Sequence, residues 1–544
     1  MRQKGCFCFV WDVLFLLCGQ KPFGDDEISL FLAIFAFNMA EKSNKGKGNA
    51  GAGDYNRVIK YLGIFGGAQG VSVLLSMVRN KFASVLLHSW GFGLIALYNR
   101  TVQLFYDTTG LSLSLSAVRR LSDTYSNGSD DEVRHCVKVV RSIALLTGLV
   151  GMALMMLLSP LLSLWMLDGG VGDTLRLMLV APVVLFMAVS GGELAVLRGV
   201  KQPGKIACYT LWTAVSGVLV AVPLYYLFGT GGIIPSIFLV ALMQMAGALF
   251  FSRKLYAYSA VPFSCAVLRE GLDIIKLGAG YIYATILVSG SLWFVYQVVA
   301  RIGGDSAVGV FSAGYLLVGM LPSILFAAFD SDYYPRLSGI FANKDVRNAM
   351  VNEHVEVHLL VQTPVILCAI MLLPWLFPLF FSAEFLPALS MTQIAIFALL
   401  FHVVTYPISF MPVSKGETLT FAAQETAYNV VFVLFTILGF YRYGWVGAGV
   451  GMMVARCIDL LVVYSIARWR YGFRLSGRAV NYLVLSFASG GVVLASALWV
   501  ADAPWLRFVG FGVAALMVVV SLCRLSRHGN IVSAVFKRVL KLFK

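Results

Sequence analysis

The sequence predicts an all-α polytopic membrane protein of about 14 transmembrane helices: two six-helix pseudo-repeated lobes plus two C-terminal helices. Three observations carry this. The 544 residues are 59% hydrophobic and only 13% charged, about half the charge of a typical globular domain. Apolar runs of about 20 residues recur along the whole chain, each long enough to span a ~30 Å hydrocarbon core as a helix. The first twelve runs also fall into two halves at a nearly constant offset. Val58-Ile59-Lys60 returns as Ile274-Ile275-Lys276, Gly93 as Gly309, and Arg120-Leu121-Ser122 as Arg336-Leu337-Ser338, all at one offset, 216. Arg198-Gly199 meets Lys415-Gly416 at 217, and Gly229 meets Gly444 at 215.

Helices are required because lipid leaves every backbone polar group to be bonded internally. The alternating strands of a membrane barrel are missing. The spans fall near residues 58–87, 91–116, 139–161, 174–197, 206–228, 231–251, 273–300, 307–329, 357–381, 386–411, 418–440, 444–467, 481–500 and 505–523. They divide the chain into a cytoplasmic N-terminal extension (1–54), an N-lobe (55–256), a C-lobe (257–475), two further helices (476–525) and a basic amphipathic tail (526–544). Repeated membrane halves of this kind place a substrate path at their interface, with rocking between them giving alternating access. Pro182, Pro223, Pro322, Pro364 and Pro407 lie inside spans, where they either kink the helix or sit as packing irregularities.

The first segment does not match the rest. Its apolar stretches, Phe7–Cys18 and Ile28–Phe37, are too short to span. Met39 opens a polar, Gly- and Lys-rich stretch that leads into the first span. Translation from Met39, with 1–38 a mis-assigned start, is one expectation; an interfacial anchor is the other.

The net charge of +15 is distributed by side. Loops after even-numbered spans carry Arg119, Arg120, Arg134, Arg198, Lys201 and Arg253, and later Arg336, Lys344, Arg468 and Arg474. Loops after odd-numbered spans offer little beyond Arg301, Arg442 and Arg507. This positive-inside pattern places both termini in the cytoplasm. It accounts for the basic balance without nucleic acid. The tail beyond Arg524 suits the anionic inner leaflet. The nine cysteines have no metal-ligand spacing. No phosphate loop, zinc signature or nucleophile motif occurs, so no cofactor is expected, although proton or sodium coupling stays open.

Charged groups within spans carry the functional signal, since each costs about 2.5–3.5 kcal/mol at a helix centre. In the first span Arg79 and Lys81 are followed by more apolar sequence. Either the helix continues to residue 87, or it ends at Val78 and Arg79 reaches to the interface. In the second span Arg100, Gln103 and Asp107 are spaced 3 and 4 apart and share one face. They either face a lumen or join helices. Glu193 is expected to pair locally with Arg198. Arg456 and Asp459 are expected to pair with each other, and His402 is expected to be packed. Asp107 and Glu425 are the candidates for ion coupling.

The stretch from Lys60 to Asp123 resembles the start of bacterial polysaccharide flippases of the Wzx type, in the multidrug/oligosaccharidyl-lipid/polysaccharide exporter superfamily. The residues that carry the resemblance are Gly63, Gly66 and Gly67; Arg79-Asn80-Lys81; Gly91-Phe92-Gly93-Leu94; Leu97-Tyr98-Asn99; and Ala117 to Ser122. The resemblance implies a flippase that moves undecaprenyl-diphosphate-linked oligosaccharide repeat units from the inner to the outer leaflet of the bacterial inner membrane. It implies membrane lipid and a downstream polymerase as partners, and a cationic cavity. Arg79, Lys81, Arg100 and Gln103 are the candidates to hold the diphosphate and sugar; the basic positions of the second helix are not identical to the family's. The alternatives are an ion-coupled multidrug or small-molecule antiporter of the same superfamily, which generally carries an acid in its first helix, a membrane polysaccharide polymerase or ligase, and a flippase for lipid II itself.

Overall fold

A computed structural model describes residues 52–110, 113–166, 169–257, 270, 279–325, 333, 336–499 and 504–528. By compactness the chain divides into Met1–Gly63 and Ile64–Lys544. Of the first unit only the start of one helix is described, so the expectations for Met39 and for residues 1–38 lie outside the described residues, as does the tail beyond His528.

The described residues are helical apart from short connecting turns and contain no strand. In chain order they form α1 Ala52–Leu86, α2 His88–Thr109, α3 Leu113–Asn127, α4 Asp130–Met166, α5 Val171–Val180, α6 Pro182–Gly199, α7 Pro203–Phe228 and α8 Ile233–Arg253. Then follow α9 Ala279–Leu325, α10 Lys344–Phe380, α11 Ala388–Lys415, α12 Thr418–Tyr471, α13 Gly477–Leu498 and α14 Leu506–His528.

Among the described residues, nine helical stretches are long and apolar enough to cross a membrane. Three of them, Pro203–Arg253, Ile282–Leu321 and Thr418–Tyr471, are too long for one crossing and turn back at Gly229, Gly304 and Gly444. Counting each of those twice gives twelve crossings, and α1 and α2 complete the predicted fourteen. α2 falls short on composition because Asn99, Arg100, Gln103 and Asp107 make it polar. Packing against α9 covers it instead.

The sequence repeat is visible in the backbone. Gly229 turns with φ 54°, ψ −130°, and Gly444, its counterpart in the second half, with φ 57°, ψ −136°. Both lie in a region closed to residues with a Cβ. Leu121 and Leu337, also repeat-mates, are both fully buried. α4 packs on α6 and α7 on α8 in the first half; α10 packs on α11 and α11 on α12 in the second. α2 against α9 is the main seam between the halves, and α13 and α14 lie on α10.

Local signals set several ends. Asp130, Asp131 and Glu132 fill the first turn of α4, where negative charge complements the helix dipole. Asn343 and Ser476 cap α10 and α13 by accepting from Val346 N and Ala479 N. Gly472 closes α12 in the left-handed conformation. Pro182 starts α6 after the break at Ala181, whereas Pro223, Pro364 and Pro407 lie inside helices that continue.

Two charged positions depart from their local surroundings. α1 does not stop at Val78 but runs through Arg79 and Lys81 to Leu86. Glu193 does not pair with Arg198; it takes a two-point ion pair from Arg141 of α4, Nε to Oε1 at 2.8 Å and Nη2 to Oε2 at 3.0 Å. Ser252 of α8 also donates to Glu193. Both side chains are almost wholly buried, and the fork of Arg141 supplies the geometry that burial demands. Arg198, little more than a turn away on the same helix, is exposed, whereas Glu193 is buried.

Candidate functional site

A cavity of about 380 Å³ lies in the first half beside the seam, lined by side chains of α1, α2, α6, α7 and α8, with Tyr296, Ser312 and Leu316 of α9 closing it from the second half. Arg79 of α1 and Arg100 of α2 both face it, with Asn99, Gln103, Gln244 and Ser236 as further polar groups. Its described lining contains no Asp, Glu or Lys. Two fixed cations therefore share a concave site without an acid on its wall. Both guanidinium groups are half-buried, and charge drawn away from water is costly unless a partner compensates it, so the chemistry of this wall suits an anionic group.

The helices fix both guanidinium groups. Arg100 lies over the rings of Tyr296 and Tyr315, 5.3 and 6.0 Å from their centroids, both on α9. Such cation–π contact orients the group without neutralising it. Arg79 lies against Gly217 of α7, where an added Cβ would stand 3.3 Å from its Nη1. Across the cavity Ser236 donates to Tyr225 at 3.1 Å.

The other four candidates fall in different places. Gln103 lines the cavity but also donates to both Asp107 oxygens, at 2.9 and 3.0 Å. Asp107 accepts as well from Ser289 of α9, so it ties the two halves together and does not line the cavity. Lys81 stays outside the cavity. Its ammonium donates to the carbonyls of Pro378 and Phe381, at 2.7 and 2.8 Å, at the C-terminus of α10. The last carbonyls of a helix lack internal partners and carry partial negative charge, so they bind a cation well. Glu425 lines a second cavity in the C-terminal half.

Lys81 belongs to a set of cross-half contacts at the end of the bundle where α1 meets α2. Ser84 and Ser382 exchange hydrogen bonds, Ser382 N to Ser84 Oγ at 3.1 Å and Ser382 Oγ to Ser84 O at 3.2 Å. Glu384 binds His88 at 2.7 Å and accepts from Ser89 N at 3.1 Å. Desolvation works against ionisation of Glu384, but the bonds from His88 and Ser89 outweigh it and hold its carboxyl below the usual range. Trp90 donates to Asp305 at 3.0 Å. Phe92 packs edge-on against Phe381 and Phe385. This end is closed.

At the opposite end, Glu417 sits in the turn between α11 and α12. Hydrogen bonds from Lys415, Tyr471 and Arg470 overcome its desolvation and pull its pKa down to about 2. They pin that turn to the end of α12.

The second cavity, about 180 Å³, is lined by Tyr315, His402, Gln424, Glu425, Arg456 and Asp459 among others. Arg456 lies 3.4 Å from Asp459 and 3.2 Å from His402, with its guanidinium 4.1 Å over Tyr428. The sequence pairs Arg456 with Asp459 by spacing, but it gives no sign that His402, on α11, joins them.

No protein-family model matches the sequence, and no curated protein matches it. Solved structures do match. A lipid II flippase, MurJ, in an inward closed conformation aligns with TM-score 0.64 at 14% identity, over 85% of this chain and 98% of that one. An inward-facing multidrug-resistance MATE transporter of the MOP superfamily aligns with TM-score 0.55 at 14% identity, over 74% and 94%. A MOP-superfamily transporter from Pyrococcus furiosus, noted for the reverse polarity of its binding pocket, gives 0.53 at 14% identity, over 76% and 94%.

The chain has the MOP fold. The MOP fold is here built around a cavity whose wall carries Arg79 and Arg100 and no acid among its described residues.

Proposed function

We propose that this protein is a flippase that carries a lipid-linked oligosaccharide, joined to its polyprenyl tail through a diphosphate, from the inner to the outer leaflet of the bacterial inner membrane. One observation carries the reading: two arginines, from consecutive helices, face a cavity of the first half, beside its seam with the second, with no acid on its described wall. A diphosphate cannot cross hydrocarbon bare, and fixed guanidinium forks replace the hydration it loses. The sugars travel in the same wet space, while the tail remains in lipid. A fold shared with a lipid II flippase is consistent with such cargo. An antiporter of organic cations would meet repulsion from the same wall.

With both termini cytoplasmic, the end sealed by Lys81, His88 and Trp90 is the outer one. Export then requires those contacts to part. Removal of product by a polymerase, or exchange of a proton or sodium ion, supplies the direction. Asp107 is our candidate for a coupling acid, because its bond from Ser289 joins the halves that must move, while Gln103 of its own helix holds it in place.

The deciding experiment uses cells that lack this gene and retain the upstream glycosyltransferases. Undecaprenyl-linked oligosaccharide should accumulate on the cytoplasmic leaflet, with loss of surface polysaccharide. Accumulation on the outer leaflet would instead assign a polymerase. No accumulation, with new sensitivity to cationic drugs, would assign an antiporter.

A further inference from the structure

The two cavities occupy equivalent places in the two halves. Asn99 lines the first, and its repeat-mate Tyr315 lines the second. Gln244 lines the first, and Asp459, which follows it by the same offset that links Gly229 to Gly444, lines the second. Duplication thus gave each half the same recess, and their chemistry has since diverged. The first presents two arginines and no acid among its described residues. The second presents Glu425 and Asp459 with Arg456 between them and amide groups around them.

They are also neighbours. Tyr315 lines the second cavity and has Arg100, which lines the first, 6.0 Å from its ring centroid. One aromatic ring therefore touches both the arginine wall of the first cavity and the recess of the C-terminal half.

The second cavity also holds an unmet valence. Gln424 is 4% exposed, and its Oε1 has no hydrogen-bond partner. A buried acceptor left empty is costly, so a donor is called for at that point. Glu425 and Asp459 are further acceptors, Arg456 is a donor, and Tyr428 and Phe432 supply aromatic faces. Planar acceptors, a guanidinium donor and ring faces together complement a polyhydroxylated ring. Hydroxyls bridge donors and acceptors, and the C–H face packs on an aromatic. The carboxylates also repel phosphate and so direct a diphosphate to the arginine wall of the first cavity.

We infer that the recess lined by Gln424, Glu425, Arg456 and Asp459 is a saccharide subsite that takes the sugar next to the diphosphate of the same lipid-linked substrate. The inference rests on the flippase reading, and it fits the covalent order of such a substrate. The first sugar is bonded directly to the diphosphate, so its site must adjoin Arg79 and Arg100.

The test compares two probes on purified full-length protein. One is bare undecaprenyl diphosphate; the other is the undecaprenyl-diphosphate-linked saccharide extracted from the host. The saccharide-bearing lipid should bind about tenfold more tightly, a gap of the size a few hydrogen bonds supply. Gln424→Leu and Asp459→Asn should each erase that gap and leave bare-lipid affinity within about twofold, which also certifies that the variants are folded. Arg100→Ala should weaken both probes. If the native protein binds both probes equally, or the two variants keep the gap, the saccharide subsite is wrong while the flippase reading stands on the Arg100 result. If the variants keep the gap but change how binding responds to sodium or pH, the recess is an ion site and the inference is overturned. If neither probe binds, the flippase reading itself fails and takes this inference with it.

Discussion

Gly93 and Gly309 hold the same position in the two halves of the chain and lie against each other. A Cβ on Gly93 would overlap the carbonyl oxygen of Asp305 and stand 2.9 Å from Gly309 N. A Cβ on Gly309 would overlap the carbonyl oxygen of Ser89 and stand 3.1 Å from Gly93 N. Ser89 and Asp305 are themselves repeat-mates, separated by the same offset as the two glycines. The contact is therefore reciprocal: each half presses the same backbone segment onto the other, and only glycine permits it.

Gly309→Ala should accordingly open this end. The neighbouring atoms are backbone, which cannot swing away, so overpacking of about 1–3 kcal/mol falls on the closed arrangement alone. The closed population should drop by about tenfold. A Ser84→Cys/Ser382→Cys pair reports it, because those serines touch across the halves only when the end is closed. Unchanged disulfide yield in the Gly309→Ala background would refute the role of the contact.

Arg79→Ala and Arg100→Ala should each lower export of lipid-linked oligosaccharide by about 10–100-fold, the scale of losing charge-assisted hydrogen bonds to phosphate. Membrane protein level should be unchanged, and lysine at either position should restore part of the rate. Wild-type export by both alanine variants would remove the diphosphate site.

Lys81→Ala should behave differently from both. Its ammonium is engaged with Pro378 and Phe381 rather than with the cavity. Binding of undecaprenyl diphosphate should stay within about twofold of native, whereas the Ser84/Ser382 disulfide yield should fall by about threefold or more. A loss of binding equal to that of Arg100→Ala would place Lys81 with the substrate after all.

Asp107→Asn should preserve protein level, since the amide can still bond Ser289 or Gln103. Export by this variant should no longer respond to an imposed pH gradient. A fall in protein level with the pH response intact would make Asp107 a structural link between the halves.

Glu417 gives a pH signature of its own. Its folded pKa is depressed to about 2 by Lys415, Tyr471 and Arg470. A depressed carboxyl adds stability that is fully present above the ordinary carboxylate range, near pH 4.5, and is lost as pH falls toward 2. Glu417→Gln should therefore lower the Tm at pH 7 and lose that deficit progressively below about pH 4.5. An equal Tm deficit at pH 7 and pH 3 would assign the effect to packing alone.

The architecture was legible because it rests on local and repeated signals. Apolar runs of spanning length, the alternation of basic loops and the constant offset between the halves all survive in one dimension. Gly229 and Gly444 even foretell a shared backbone conformation, because a positive φ leaves the residue no other common choice. Arg79 and Arg100 stand out for a similar reason: a charge within an apolar run is expensive and rarely idle.

Tertiary structure decided who meets whom. Lys81 reads as a third cavity cation until α10 brings two main-chain carbonyls to it. A carbonyl acceptor exists at every residue and leaves no mark in sequence. Glu193 has a basic residue little more than a turn away, yet it pairs with Arg141 of a different helix, because burial rewards a two-point fit over proximity along the chain. The recess of Gln424, Arg456 and His402 gathers residues from separate helical segments whose spacing has no common period. Spacing along a helix is fixed by the backbone, whereas the distance between helices is set only when the whole bundle packs.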